Sequence, residues 1–295
     1  MASELGCSVI APLPPHPHTH TVVFLHGRGD TARNAADALL SRWARGSRGR
    51  SLVDCFPSVR WVFPQAEPLP AVSHAGELWD QWFDVPNVLD PTDREDLQVW
   101  GLRDSVDALR KVVRKEAETV GGLERVLLMG ISQGGATAVH VLLQLGEPGT
   151  GSLGDWDWGL DVKAKIEAQH LETVSEKTEP EEPPERLGGL LAFASWLPLP
   201  GGSLDETREV LGLDGGPPDN DYLVQNTPVF LGHCADDPLV FVEFGRQLRD
   251  GLRGFGMTVD WNEYPDGGHW INAPQGIDDM VTFMKAQGIP VEDEE

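Results

Sequence analysis

Residues 125–145 constrain this chain more than any other stretch. An apolar run over 126–129 reads as a short buried strand, and a helix-compatible run follows over 136–145. Between them stands Gly130-Ile131-Ser132-Gln133-Gly134, a Gly-x-Ser-x-Gly pattern. A strand that turns sharply into a helix lifts the serine hydroxyl above the sheet edge. Such a turn is strained, and its glycines keep Cβ atoms out of the close strand–helix approach. The helix N-terminus then aims free N–H groups and the positive end of its dipole at the hydroxyl. A small-residue turn that merely contains serine would match the same five letters. The flanking strand and helix favour the sharper reading, with Ser132 as a nucleophile.

The rest of the chain alternates in the same way. Short β-branched and aromatic runs over 21–25, 59–63, 190–195, 227–233 and 259–264 predict strands. Helical spacing follows most of them, through residue 40 and over 97–120, 242–252 and 276–286. Alternation of this kind implies an α/β fold, a mostly parallel twisted sheet with helices on both faces. The chain has 295 residues, enough for one large domain or two small ones with a substantial core. We read residues 21–288 as one domain.

Three stretches break the rhythm. Residues 1–20 carry Pro12, Pro14, Pro15, His16, Pro17, His18 and His20, which predicts an extended, flexible and solvated lead-in rather than a metal site. Residues 69–82 lack regular periodicity; their aromatics, with Phe83, suit satellite core or, as we favour, an apolar substrate groove. Residues 146–186 are rich in glycine, proline and acid, and read as a surface insertion. One helix is expected there around 162–176, with Trp156 and Trp158 docked locally. Residues 289–295 read as an acidic, frayed tail.

Charge and cysteine usage narrow the function classes. A net charge of −24 argues against nucleic acid, which needs a basic stripe, and against an anionic membrane face. A cationic protein or peptide substrate is electrostatically compatible. No apolar run approaches the ~18 residues that span a bilayer, and the N-terminus makes a poor signal peptide. Cys7, Cys55 and Cys234 are odd in number and far apart, which suits cytoplasmic thiols. Cys7 is a site where S-acylation is chemically feasible, though a lone cysteine near a flexible end is more often unmodified. The glycine-bearing loop at 26–31 fits neither Gly-x-Gly-x-x-Gly nor the Walker pattern, so no nucleotide is expected.

A serine hydroxyl attacks only when a base takes its proton, and that base needs an acid to orient it. Open α/β sheets place such groups in loops at the carboxyl ends of strands. Asp237 and His269 both follow late strands, and Ser132, Asp237, His269 is the order found in α/β-hydrolases. Asp236 is the rival to Asp237. His26 and His233 end strands and read as loop-holding groups.

At these residues the chain resembles a known family. Phe24-Leu25-His26-Gly27-Arg28-Gly29-Asp30-Thr31, Trp82-Phe83-Asp84, Gly130 to Ala136, Ser195-Trp196-Leu197-Pro198-Leu199, His233 to Val240 and Gly268-His269 are similar to the acyl-protein thioesterase / phospholipase–carboxylesterase family. The resemblance covers nearly all of 20–288 outside the insertion. It implies an α/β-hydrolase fold and a serine hydrolase acting on fatty-acyl thioesters or esters, without cofactor or metal. By motif match Ser132 is the nucleophile, Asp237 (directly before Pro238-Leu239-Val240) the acid, and His269 the base. The oxyanion donors are the backbone N–H groups of Arg28 and Gln133. The family usually has leucine where Arg28 stands; a backbone donor survives that exchange. Trp79, Trp82, Trp196, Leu197 and Leu239 are the expected apolar wall. The expected partner is an acylated protein or a small acyl ester or thioester, and the expected state a monomer or weak homodimer. A broad carboxylesterase or lysophospholipase is the runner-up. A non-catalytic α/β-hydrolase receptor or scaffold is the reading from another class.

Overall fold

The computed structural model describes residues 5–41, 44–146, 185–214, 218 and 221–292. Its strands are β1 (Cys7–Ile10), β2 (His20–Leu25), β3 (Val59–Pro64), β4 (Pro68–Ala71), β5 (Glu77–Asp80), β6 (Val126–Ile131), β7 (Gly189–Phe193), β8 (Val229–Cys234) and β9 (Val259–Tyr264). Seven of them form one sheet in the order β1-β3-β2-β6-β7-β8-β9, while β4 and β5 pair as a separate hairpin. Only β1 runs antiparallel in the main sheet; the other five pairings are parallel. The helices are α1 (Ala32–Leu40), α2 (Leu52–Cys55), α3 (Gln98–Val120), α4 (Gln133–Leu143), α5 (Leu204–Glu209), α6 (Tyr222–Asn226), α7 (Val242–Gly254) and α8 (Gln275–Ala286).

The continuous apolar strands arise because both faces of the sheet are covered. Side chains alternate along a strand, so β2 sends Val23 and Leu25 to one face and Val22 and Phe24 to the other. The first face packs with Leu102, Leu109, Val139 and Leu248 of α3, α4 and α7. The second packs with Leu39, Val53 and Met280 of α1, α2 and α8. The strand order reverses direction between β2 and β6. A crevice therefore opens outside the carboxyl ends of these two strands, where doubly wound sheets bind ligands.

Ser132 directly follows β6 at this crevice, and close packing dictates the sequence around it. A Cβ on Gly130 would overlap the backbone of Gly134 and Gly135; one on Gly134 would overlap the carbonyls of Leu25 and His26. Helix α4 can begin at Gln133, three residues before the apolar run suggests, because the glycines let its first turn pass over the end of β2.

Several expectations change. The lead-in is extended, but it is not free in solvent throughout: residues 7–10 form the edge strand, paired with Trp61 to Pro64. Its buried-side residues Ser8 and Ile10 alternate with exposed Cys7 and Val9, as an edge strand requires. The acidic tail is docked at its start. Ile289 is buried, and Glu292 N–H donates to Cys55 O at 3.0 Å. The aperiodic stretch before Trp82 contains the β4–β5 hairpin, in register Leu69 with Trp79. Of the expected insertion, residues 147–184 lie outside the described residues, together with Trp156, Trp158 and the helix expected there. Among the described residues no helix is long and apolar enough to cross a membrane.

The close approach at the turn makes a sharp test. Gly134→Ala should cost about 1–3 kcal/mol or more, the usual penalty for overpacking a filled site. Denaturant midpoints of the variant and the parent protein measure it.

Candidate functional site

Ser132 takes φ 55° and ψ −127°, a conformation that only a strongly constrained turn holds in a non-glycine residue. Three bonds fix it. Its N–H donates to Phe193 O at 2.8 Å, its carbonyl accepts from Ser195 Oγ at 3.0 Å, and Ala136 N–H closes the first helical turn onto the same carbonyl at 3.0 Å. Strand β7 and the loop after it thus brace the elbow that β6 and α4 create.

The loop after β8 carries two adjacent aspartates with different partners. Asp237 is fully buried at its side chain. Its Oδ1 accepts the N–H groups of Leu239 and Val240 at 2.9 and 3.0 Å, and its Oδ2 lies 2.8 Å from His269 Nδ1. Burial alone would raise the carboxyl pKa. The hydrogen bonds from His233, His269 and the Leu239 N–H override it and hold the group well below the usual carboxylate range. Asp236 is exposed and accepts the Gly268 N–H at 2.8 Å, so it pins the backbone just before His269. His233 Nε2 donates to Val240 O at 2.8 Å and lies 3.5 Å from Asp237 Oδ2, which ties the end of β8 to its own loop.

Ser132 and His269 line one cleft of about 380 Å³. No hydrogen bond joins the hydroxyl to the imidazole; in empty sites this bond is often long and tightens only with substrate. Asp237 orients Nδ1, which leaves Nε2 as the nitrogen that can exchange a proton within the cleft.

Loop 26–30 supplies the opposite wall. A Cβ on Gly27 would stand 3.6 Å from Ser132 Cβ, so the backbone here passes directly beside the hydroxyl. Among the described residues, neither Arg28 N–H nor Gln133 N–H donates to another protein group. The side chains of both residues reach one strap, residues 81–84. Gln133 Oε1 accepts Trp82 N–H at 2.9 Å and its Nε2 donates to Phe83 O at 2.6 Å. Arg28 Nε donates to Gln81 Oε1 at 2.8 Å. His26 completes the join: Nδ1 donates to Gly27 O at 2.8 Å and Nε2 accepts Ala66 N–H at 3.1 Å. Burial lowers its pKa, and the donor–acceptor pattern fits the neutral ring.

The expected apolar wall needs correction. Trp79 and Leu239 line the cleft, together with Val88, Ile131, His74 and Trp270. Trp82 does not: it is 1% exposed, and its Nε1 donates to His26 O at 2.8 Å inside the core. Trp196 is buried against Phe83, and with Leu197 it borders a different cavity beside Phe244 and Gly251. An aromatic residue near a motif has the same letters in a core as in a groove, and packing decides between them. Gln81 and Ser73, which also shape this region, carry no signal in the sequence; Asp84 carries one, as part of Trp82-Phe83-Asp84.

The histidines of the lead-in serve local bonds. His18 Nε2 lies 2.9 Å from Thr21 Oγ1, His20 Nδ1 lies 3.0 Å from Thr19 Oγ1, and His16 is 3.5 Å from Glu292. No group of three or more metal-ligating side chains comes together among the described residues. The three cysteines form no disulfide.

Comparison with known proteins adds to this geometry. Residues 6–154 match the family model of phospholipases and carboxylesterases. Acyl-protein thioesterase 1 of Gibberella zeae is 28% identical over 274 residues, covering 92% of this chain and 91% of that protein. Acyl-protein thioesterase 1 of Cryptococcus neoformans is 24% identical over 286 residues, covering 92% and 93%. The crystal structure of Zea mays acyl-protein thioesterase 2 superposes with a TM-score of 0.65 at 19% identity, covering 96% of this chain and 98% of that one. The fold is that of an α/β-hydrolase.

The depressed Asp237 pKa has a measurable consequence. A group held below its unfolded value contributes stability above that value, about 3.9, and loses it as pH falls towards the folded pKa. The native protein should therefore lose stability below about pH 4. Asp237→Asn should be less stable at pH 7 and show a shallower acid decline. Denaturant unfolding at a series of pH values from 7 to 3 reads both slopes.

Proposed function

Because the chain belongs to the phospholipase/carboxylesterase family, a family of hydrolases, we propose that it cleaves fatty-acyl thioesters or esters through an acyl-enzyme on Ser132. The observation that carries this reading is the shared cleft. A strained serine elbow and an imidazole held by a buried carboxylate open into one apolar-walled space. Ser132 Oγ attacks the acyl carbonyl while its proton passes to His269 Nε2. Arg28 and Gln133 N–H groups stabilise the resulting oxyanion. The tetrahedral species collapses and expels the thiolate or alkoxide, which takes the proton from His269. Water then attacks the acyl-enzyme with His269 as base, and the free fatty acid leaves. Asp237 stays ionised throughout and stabilises the imidazolium.

Trp79, Val88, Ile131 and Leu239 give the cleft the apolar lining that a fatty-acyl group fits. The thioesterase names of the relatives support an acylated protein as the natural substrate. Three cysteines without a disulfide suit a reducing compartment, in keeping with a cytoplasmic enzyme.

Ser132→Ala should abolish both turnover of acyl-thioesters and labelling by a fluorophosphonate probe, with the fold intact. Asp237→Asn should lower turnover by about 10⁴, as loss of the orienting acid does in serine proteases. Asp236→Asn, whose amide oxygen can still accept the Gly268 N–H, should remain largely active. Steady-state kinetics on folded variants with graded acyl-thioesters and acyl-esters measure these effects. Retained turnover in Ser132→Ala, or the opposite ranking of the two aspartates, would contradict the mechanism.

A further inference from the structure

We propose that the Arg28 side chain is a positioning residue for the oxyanion hole: by gripping the 81–84 strap and the β4–β5 hairpin, it holds its own backbone N–H beside Ser132. The inference rests on the acyl-transfer reading above and adds a role for a side chain that the reading leaves idle.

Loop 26–30 needs an anchor. Glycines flank Arg28 on both sides, and Gly29 has φ +74°, so the backbone here is intrinsically permissive. Two backbone–backbone bonds restrain it, Gly29 N–H to Asp80 O at 2.7 Å and Asp30 N–H to Gly27 O at 3.3 Å. Side-chain donors hold its first two carbonyls, Trp82 Nε1 on His26 O and His26 Nδ1 on Gly27 O, each at 2.8 Å. None of these holds residue 28 itself. Its guanidinium does so in four directions. Nε donates to Gln81 Oε1 at 2.8 Å, and Nη2 donates to Ser73 Oγ at 2.8 Å. Nη2 lies 3.7 Å from Asp84 Oδ1, and the planar group stands over the Trp79 ring, 5.2 Å from its centre.

Each partner is itself fixed. Gln81 is buried and spends its amide N–H groups on Leu69 O and Pro70 O at 3.1 and 3.2 Å, which turns its oxygen towards Arg28. Asp84 Oδ2 accepts Val72 N–H at 3.1 Å, while its Oδ1 is buried without a hydrogen bond. Arg28 is the cation beside that carboxylate, and a buried charge left without its counterion is strongly unfavourable. Trp79 packs on Gly29, where a Cβ would stand 3.0 Å from the ring. The hairpin, the strap and the loop are thereby one unit, and Arg28 is the side chain common to all three.

This arrangement favours one of two roles for the guanidinium. A cation that reads substrate at the cleft mouth would present most of its surface to the cleft rather than to protein groups. Only about a tenth of the Arg28 side chain is exposed, and its Nε and Nη2 are committed to Gln81 and Ser73, so most of the group is engaged with the protein. A planar fork that donates and stacks at once is a property of arginine; lysine offers a compact point charge.

The test uses Arg28→Leu, which keeps the backbone N–H and removes the grip. A trifluoromethyl ketone with a substrate-like chain captures Ser132 as a tetrahedral adduct bearing an oxyanion. The matching non-hydrolysable thioether binds without one. Arg28→Leu should lower kcat by about 10- to 100-fold, less than the loss of a whole donor, and weaken the ketone by a similar factor. KM and thioether binding should change by no more than about two-fold, because the lost interaction belongs to the transition state. Arg28→Lys should not restore the ketone affinity. Ser73→Ala removes one exposed bond to the same guanidinium and should show a smaller loss of the same kind, about three-fold; it carries the test if Arg28→Leu does not fold. Unchanged ketone inhibition in the folded variants, or equal loss of ketone and thioether binding, would overturn the proposal. A parent protein that neither turns over acyl substrates nor labels with fluorophosphonate would instead overturn the functional reading beneath it.

Discussion

The near-contact between the first turn of α4 and the end of β2 governs what is built above the sheet. Gly134 lies so close to the Leu25 and His26 carbonyls that no side chain fits between them. That closeness pushes Ser132 into the left-handed region and leaves the first N–H groups of the helix without partners. It also brings Gly27 beside the serine, so a hydroxyl and free backbone donors share one crevice. The strain at Ser132 persists because bonds to Phe193 and Ser195 from the neighbouring strand hold the turn from the other side.

Around this point the site is supported by groups that bind neighbouring parts of the protein. Gln133, Arg28 and the His26 carbonyl all meet the 81–84 strap, which makes the walls of the crevice mutually dependent. On the far side a buried charge does the orienting. Asp237 is surrounded by two N–H groups and two imidazoles, so its carboxylate is satisfied without solvent. Asp236, next in the chain, reaches the other component of the same loop, the backbone at Gly268. One aspartate sets the ring and its neighbour sets the chain that carries the ring.

Much of this was legible in the sequence because it rests on local pattern. Apolar runs such as residues 126–129 and 259–264 mark strands buried on both faces, and the glycines around Ser132 mark a turn that admits no side chain. Pro238 biases Asp237 towards an extended backbone, which distinguishes it from Asp236. What escaped depends on contacts far along the chain. Strand β1 sits among prolines and histidines, and its pairing with β3 is more than fifty residues away in sequence. Pro68 and Pro70 speak against a strand, yet a two-stranded hairpin outside the main sheet tolerates them. Trp82 and Trp196 look like groove residues until their rings are seen packed inside. In the sequence Arg28 is only a departure from the family's usual leucine, and Gln81, Ser73 and Asp84, 45 to 56 positions later, supply the contacts that make it a brace.

In the proposed mechanism, chemistry passes through a covalent acyl group on one hydroxyl. Rapid acid quenching during turnover of a slowly hydrolysed acyl ester, followed by intact-mass and peptide mass spectrometry, tests it directly. One added acyl group per chain is expected, borne on the peptide that contains Ser132 and lost as turnover proceeds. An acyl group accumulating on a different residue at the rate of turnover, or turnover with no acylated chain at any quench time, would contradict it.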